Sequence, residues 1–247
     1  MPLGLPHDAS AHGHHVDAIL RYLTVTTAVY LSILVGILGV ALIFYRGPRR
    51  RAVYTHGTGR GGLALAAVAG AALLFGIDVP AVVRSARQLR AGFWSYPDRD
   101  PRAVRIEVLA QQWAWNFRYA GADGRFGTAD DILTLNDLRV PVDRPVYLQL
   151  TSKDVVHSLY LPNFRTKVDA IPGTITRLWF EPKETGLFEI ACAQHCGTWH
   201  YRMRGELTVL DEAAFTTWTA RAAEDARLRF DPTDSEAHDG WAWMPAP

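Results

Sequence analysis

Residues 192–203 read CAQHCGTWHYRM, and this stretch decides what the rest of the chain has to build. Cys192 and Cys196 stand four apart, His200 follows Cys196 by four, and Met203 follows His200 by three. The 247-residue chain has no other cysteine. Thiolate, imidazole and thioether are soft ligands that select copper, and two histidines, one cysteine and a weak axial methionine hold a single blue-copper ion. One ion needs one thiolate, so the second cysteine needs its own account. Two readings stand here. The pair forms a disulfide, as in many extracytoplasmic domains, or each thiolate bridges two coppers and a second imidazole arrives from elsewhere. His157, in KDVVHSLYLP, is the obvious donor.

The twelve-residue stretch resembles the copper A loop of subunit II of haem–copper cytochrome c oxidases, whose pattern is C-x-E-x-C-x-x-x-H-x-x-M. Upstream, residues 154–173 (DVVHSLYLPNFRTKVDAIPG) resemble that family's first-histidine strand and the K-x-D-A-x-P-G segment after it. The resemblance implies Cys192 and Cys196 as bridging thiolates of two copper ions, with His157 and His200 each bound to one. It makes Met203 the weak axial ligand of one copper and the backbone carbonyl of Gln194 that of the other. Gln194 stands where the family usually has glutamate. A carbonyl ligand survives that change; a carboxylate role does not. In the family the glutamate also reaches a magnesium ion shared with subunit I. A neutral amide is a weaker ligand for that hard cation, so magnesium here is expected to be absent, weaker or held mainly by subunit I. His195 has no place in the implied ligand set and reads as a flanking polar residue facing a partner.

Charge divides the chain. Residues 1–102 hold 11 Lys/Arg and 5 Asp/Glu, whereas residues 103–247 hold 15 and 20, so a basic front precedes an acidic back. No nucleic-acid partner is expected. Residues 1–22 are polar, with His7, His12, His14 and His15, and read as a mobile tail without a conventional signal peptide. Residues 24–45 are uncharged and long enough to span a hydrocarbon core of roughly 30 Å. A second apolar run, Leu63 to Val83, is rich in Ala and Gly, which allows close helix packing in lipid. Five arginines and no acid lie between the runs, placing that loop in the cytoplasm and the acidic domain outside. Asp78 reads as a solvated helix end beside Pro80 and Arg84. Family members often carry a glutamate near the cytoplasmic end of the second helix, at a proton path; residues 56–64 have no acid, so that role does not carry over.

Residues 84–102 read as a helix end and linker. Then VRIEVLAQQWAWNFRY places odd-numbered Trp113, Trp115, Phe117 and Tyr119 on one side, the period of a strand. GADGRFGTADD is acidic but lacks the spacing of a calcium-binding EF-hand loop, and reads as a long hairpin turn. VYLQLT, VVHSLYL, ITRLWFEP, LFEIAC and GELTVL are further short β-rich runs, which together indicate a sandwich or barrel. The resemblance makes this a Greek-key cupredoxin barrel. The division is 1–102 for tail, two-helix transmembrane hairpin and linker, 103–210 for the copper A domain, and 211–247 for a C-terminal helix and acidic tail.

QQWAWNFRY also resembles the subunit II segment in which an exposed tryptophan receives the electron from cytochrome c, here Trp113; the other three aromatics read as core. The resemblance as a whole implies the electron-accepting subunit of a respiratory terminal oxidase in a bacterial plasma membrane, with its copper domain on the periplasmic side. It takes electrons from cytochrome c or an equivalent donor and passes them to haem in subunit I, where oxygen is reduced. Its expected partners are subunit I, subunit III and membrane lipid. A quinol oxidase subunit II would lack these cysteines, and the copper A domain of nitrous oxide reductase would come with a large propeller. A copper carrier would rarely need two spans plus a docking tryptophan.

Overall fold

The structure is a computed structural model that describes residues 4–47, 59–230 and 233. Most of the arginine-rich loop (48–58), His56 among it, and the tail residues Asp231, Asp234, Glu236, Asp239, Trp241 and Trp243 lie outside these. The chain divides into two compact units, the helical stretch His15–Gly92 and the β-domain that begins at Phe93 and includes the residues before His15.

Helix α1 (Gly13–Tyr45) and a second helix, Arg60–Gly92, are each 33 residues long and apolar enough to cross a membrane. Both exceed the apolar runs inside them. The second continues through Arg84, Arg87 and Arg90, which composition alone assigns to a linker. It consists of α2 (Arg60–Leu73), a π-helical turn (Leu74–Asp78) and α3 (Val79–Gly92). The turn sits just ahead of Pro80, which has no amide to donate to Gly76 and whose ring crowds that carbonyl. Tyr22 on α1 donates its hydroxyl to the Ile77 carbonyl in this turn at 3.0 Å. Asp78 is therefore inside a continuous helix and not at a helix end.

Among the described residues ten strands build the β-domain: β1 (Val104–Gln111), β2 (Ala114–Tyr119), β3 (Ile132–Leu135), β4 (Asp137–Pro141), β5 (Val146–Ser152), β6 (His157–Leu161), β7 (Thr166–Ala170), β8 (Thr176–Phe180), β9 (Gly186–Cys192) and β10 (Arg204–Leu210). They form two five-stranded sheets, β3-β2-β1-β5-β8 and β4-β10-β9-β6-β7. The β1–β5 and β4–β10 pairs are parallel and the rest antiparallel, so the chain crosses repeatedly between sheets. This is the expected cupredoxin-like sandwich. Val108, Trp115, Phe117 and Leu148 from one sheet face Leu138, Leu159, Ile190 and Leu207 from the other, all with no exposed surface. Each such side chain contributes roughly 1.5–3 kcal/mol by leaving water.

The aromatic segment is a hairpin, not one strand. Gln111 pairs with Ala114, leaving Gln112 and Trp113 as a two-residue connection. Positions in the main core are even-numbered on β1 (Ile106, Val108, Ala110) and odd-numbered on β2 (Trp115, Phe117, Tyr119), while Glu107, Leu109 and Arg118 are buried on the other face. Partners across an antiparallel pair share a face, so the parity changes at the turn. Across the same pair, the Arg118 guanidinium donates to buried Glu107 from Nε at 2.5 Å. The acidic segment after β2 is the expected long turn: Asp130 accepts the Ala122 amide at 2.6 Å and Asp131 accepts the Gly127 amide at 2.6 Å. Helix α4 (Glu212–Arg229) begins where the Asp211 side chain accepts the Ala214 amide at 2.8 Å, an N-cap that satisfies an end donor.

The polar segment before α1 is docked rather than free. Ala9 is fully buried, its amide donates to the Asn163 carbonyl at 2.9 Å, and its carbonyl accepts from Lys183 at 2.8 Å. Ala11 donates to the Glu181 carbonyl, His7 Nε2 meets the Glu184 carboxylate at 2.8 Å, and the His12 ring packs edge-on against Trp179. Side chains add to these backbone bonds, Asn163 Nδ2 donating to the His7 carbonyl and Arg165 to the Pro6 carbonyl, and composition carries no trace of the contact.

Candidate metal centre

Strand register brings the implied ligands to one end of the second sheet. Leu159 on β6 pairs with Cys192 on β9, so His157 stands two residues away on the same face as Leu159. The Cys192 amide donates to the Met203 carbonyl at 3.1 Å, closing β9 against the start of β10. Between them the loop turns through Gly197 (φ +115°) and a 3₁₀ turn at His200–Arg202. At that φ a side chain is strained, and a Cβ would lie 2.9 Å from the Gln112 amide nitrogen.

The donor atoms converge. Cys192 Sγ and Cys196 Sγ are 3.7 Å apart and both cysteines are free, so the pair is not a disulfide here. Cys196 Sγ lies 3.5 Å from His200 Nδ1 and 3.7 Å from Met203 Sδ. His157 Nδ1 lies 3.1 Å from Met203 Sδ, and the Gln194 carbonyl oxygen is 3.2 Å from Cys192 Sγ. The ligating atoms of His157, Cys192 and Cys196 all fall within 4.8 Å of one another. His157, Cys196 and Met203 are buried; Cys192 and His200 are half-buried. Two thiols, two imidazoles presenting Nδ1, a thioether and a carbonyl fit soft copper by chemistry as well as by place.

A second layer orients this set. Asp154 Oδ1 lies 2.8 Å from His157 Nε2, a contact that favours a proton on Nε2 and presents Nδ1 to the cluster. Asp154 Oδ2 accepts the Gln112 amide at 2.7 Å, and the Gln112 side chain donates to the Cys196 carbonyl at 2.9 Å. The Trp115 ring meets His157 edge-on at 6.1 Å. Sequence spacing did not single out Asp154 or Gln112; the one available signal was an aspartate three residues before a ligand histidine.

Electrostatics separates the thiols. Burial raises the Cys192 pKa, but hydrogen bonds from His157, from the Ser158 and Gln194 backbone and from Cys196 outweigh it and draw it to about 6. Burial and the Cys192 charge push Cys196 up to about 12. The pair therefore shares one proton at neutral pH. Burial lowers the His157 pKa, yet bonds to Cys192 and Asp154 win and hold it above the ordinary histidine value.

Trp113 lies in the β1–β2 turn, half-buried, its ring tilted 33° against Trp199 at 5.3 Å between centroids. Trp115, Phe117 and Tyr119 are core, as expected. His195 is exposed, with its ring edge-on to His200 at 5.5 Å.

The model for the cytochrome c oxidase subunit II periplasmic domain matches residues 104–209. The chain is 38% identical over 138 residues to an alternative cytochrome c oxidase subunit 2 of Bradyrhizobium diazoefficiens, covering 47% of this chain and 50% of that one. It is 33% identical over 143 residues to the cytochrome c oxidase subunit 2 of Thermostichus vulcanus, covering 57% of this chain and 41% of that one. The chain thus spans about half the length of these curated relatives, or less. A solved periplasmic domain of cytochrome oxidase subunit II from Bradyrhizobium japonicum aligns at a TM-score of 0.44 and 27% identity, over 49% of this chain and 94% of that one. The family model is laid over the strands and loop that carry His157, Cys192, Cys196, His200 and Met203, so residues 104–209 match a cytochrome c oxidase subunit II periplasmic domain.

Proposed function

We propose that this chain is the electron-accepting subunit of a respiratory terminal oxidase, taking single electrons from cytochrome c and delivering them to haem in subunit I, where oxygen is reduced. The observation that carries this reading is the convergence of two thiols, two imidazole Nδ1 atoms, a thioether and a carbonyl at one sheet end. Cys192 and Cys196 would bridge two coppers, His157 and His200 would each hold one, and Met203 and the Gln194 carbonyl would be the weak axial ligands. A bound copper pair supplies a one-electron redox couple. The protein's part is to fix every ligand beforehand: strands β6, β9 and β10 set three positions, and Asp154 sets the His157 tautomer. The buried faces of Met203 and Trp115 keep water from that side. Gln194 offers no carboxylate, so magnesium at this position is absent, weaker or held by subunit I.

The two apolar helices anchor the chain in the plasma membrane of a bacterium, with the β-domain on the periplasmic side and subunits I and III beside it. The arginines between the helices support that orientation. Purification from the native membrane tests the whole reading. A haem-bearing subunit should accompany the chain, copper should reach two per chain, and the assembly should oxidise a reduced c-type cytochrome. Isolation of the chain alone, or with one copper, would overturn it.

A further inference from the structure

The copper loop carries a second indole that the family resemblance does not assign. Trp199 precedes His200, is 54% exposed, and packs on Trp113, the more buried ring of the two. Tyr201, on the other side of His200, is 65% exposed. Two large exposed rings flanking His200, on a loop braced by register and by the Gln112–Cys196 bond, make an apolar patch of the kind that marks an interaction site. Residues 192–203 carry a single formal charge, Arg202, and Asp154 nearby is already engaged by His157 and Gln112. This face offers rings rather than carboxylates.

Building on the function proposed above, we propose that Trp199 is the outermost ring of the donor-docking site. The exposed haem edge of a c-type cytochrome seats on Trp199, and the electron crosses the Trp199–Trp113 contact into the loop. One electron leaves the donor's ferrous haem, which becomes ferric, and the metal site gains it; no bond forms or breaks. From Trp113 the route inward is short: its neighbour Gln112 donates to the carbonyl of Cys196 at 2.9 Å. The route thus runs through two rings in series.

The test uses the purified oxidase complex with a soluble mitochondrial-type cytochrome c, in wild type, Trp199→Leu, Trp199→Phe, Trp113→Leu and the double leucine variant. Interface tryptophans commonly dominate docking, so Trp199→Leu is expected to weaken cytochrome binding about 10- to 30-fold. It should also slow flash-induced electron injection at saturating donor, while copper content and spectrum stay unchanged. Phenylalanine should restore most of the binding. The double leucine variant should inject no more slowly than Trp199→Leu alone, because a series route is already cut. Oxidative labelling of Trp199 in metal-free protein should fall on adding ferric cytochrome c, a readout independent of turnover. Unchanged binding and injection in Trp199→Leu would overturn the proposal, as would Trp199 already shielded in the complex without donor. A wild type lacking two coppers or any cytochrome oxidation would instead overturn the functional reading beneath it.

Discussion

Replacing Asp154 with asparagine keeps the size of the side chain and removes one property, its ability to accept from both oxygens. Oδ1 receives His157 Nε2 at 2.8 Å and the Val155 amide at 2.6 Å, while Oδ2 receives the Gln112 amide at 2.7 Å. An amide has one acceptor end. With its oxygen at the Oδ1 place, its NH₂ opposes the Gln112 N–H and that bond is lost. With the amide reversed, NH₂ faces the Val155 N–H, and His157 can only accept at Nε2. That second choice moves the ring proton to Nδ1 and blocks the atom pointing at the metal. The first is cheaper, since it costs one exposed bond of about 0.5–1.5 kcal/mol and keeps the tautomer. Even so, His157 loses a charged partner, and such outer partners typically account for about 10- to 100-fold in metal affinity. Asp154→Asn in the solubilised chain should therefore bind copper at least about tenfold more weakly in chelator competition. A shift of roughly 2–4 °C per kcal/mol lost is expected in the melting of the metal-free β-domain. Copper affinity within about twofold of wild type in a folded variant would refute the claim that Asp154 orients His157.

Arg118→Met leaves Glu107 buried without its partner and should destabilise the β-domain by about 3–5 kcal/mol in denaturant unfolding, with copper ligands untouched; a loss below 1 kcal/mol would show that the pair is not needed. Gly197→Ala meets φ +115° and the Gln112 side-chain Nε2 at 2.9 Å, so about 2–4 kcal/mol of strain and lost hydrogen bonding is expected, read as a lower melting temperature and altered Trp113 fluorescence. Copper loading should release about one thiol proton near neutral pH, because Cys196, up at about 12, still holds its proton while Cys192, near 6, has largely lost its own. Below pH 6 thiol-proton release should rise toward about two, with the His157 proton displaced in addition, and affinity should fall; calorimetry in buffers of different ionisation enthalpy measures both, and a flat profile would contradict the assignment.

Local patterns in this chain were legible and long-range ones were not. Cys192, Cys196, His200 and Met203 sit on one twelve-residue loop, so their spacing alone states their chemistry. His157 is visible because a recognisable segment surrounds it. The even-to-odd change of buried parity at Gln112–Trp113 is visible in principle, but alternating aromatics after the turn drown the signal and suggest a single strand. The docking of residues 6–11 on the β-domain joins backbone bonds to Asn163, Glu181 and Lys183 with side-chain contacts to Glu184, Asn163 and Arg165, partners more than 150 residues away that no local pattern encodes. The second helix runs past Asp78 and Pro80 because a π-helical turn absorbs the proline, an adjustment of backbone that composition does not display. The brace from Asp154 through Gln112 to Cys196 joins three distant segments, and only the packed sandwich puts them in reach. Strands β3, β4 and β7 are four or five residues long and, unlike the equally short β6 and β8, hold no aromatic residue to mark a strand.

The central claim is that one end of the sandwich holds two coppers sharing one electron. Electron paramagnetic resonance of the copper-loaded chain tests it most directly. The account predicts hyperfine structure from two equivalent copper nuclei, and its loss in Cys192→Ser and in Cys196→Ser, since a hydroxyl bridges soft copper poorly. A four-line spectrum from a single copper in the wild type, or a two-copper signal that survives loss of either thiol, would contradict it.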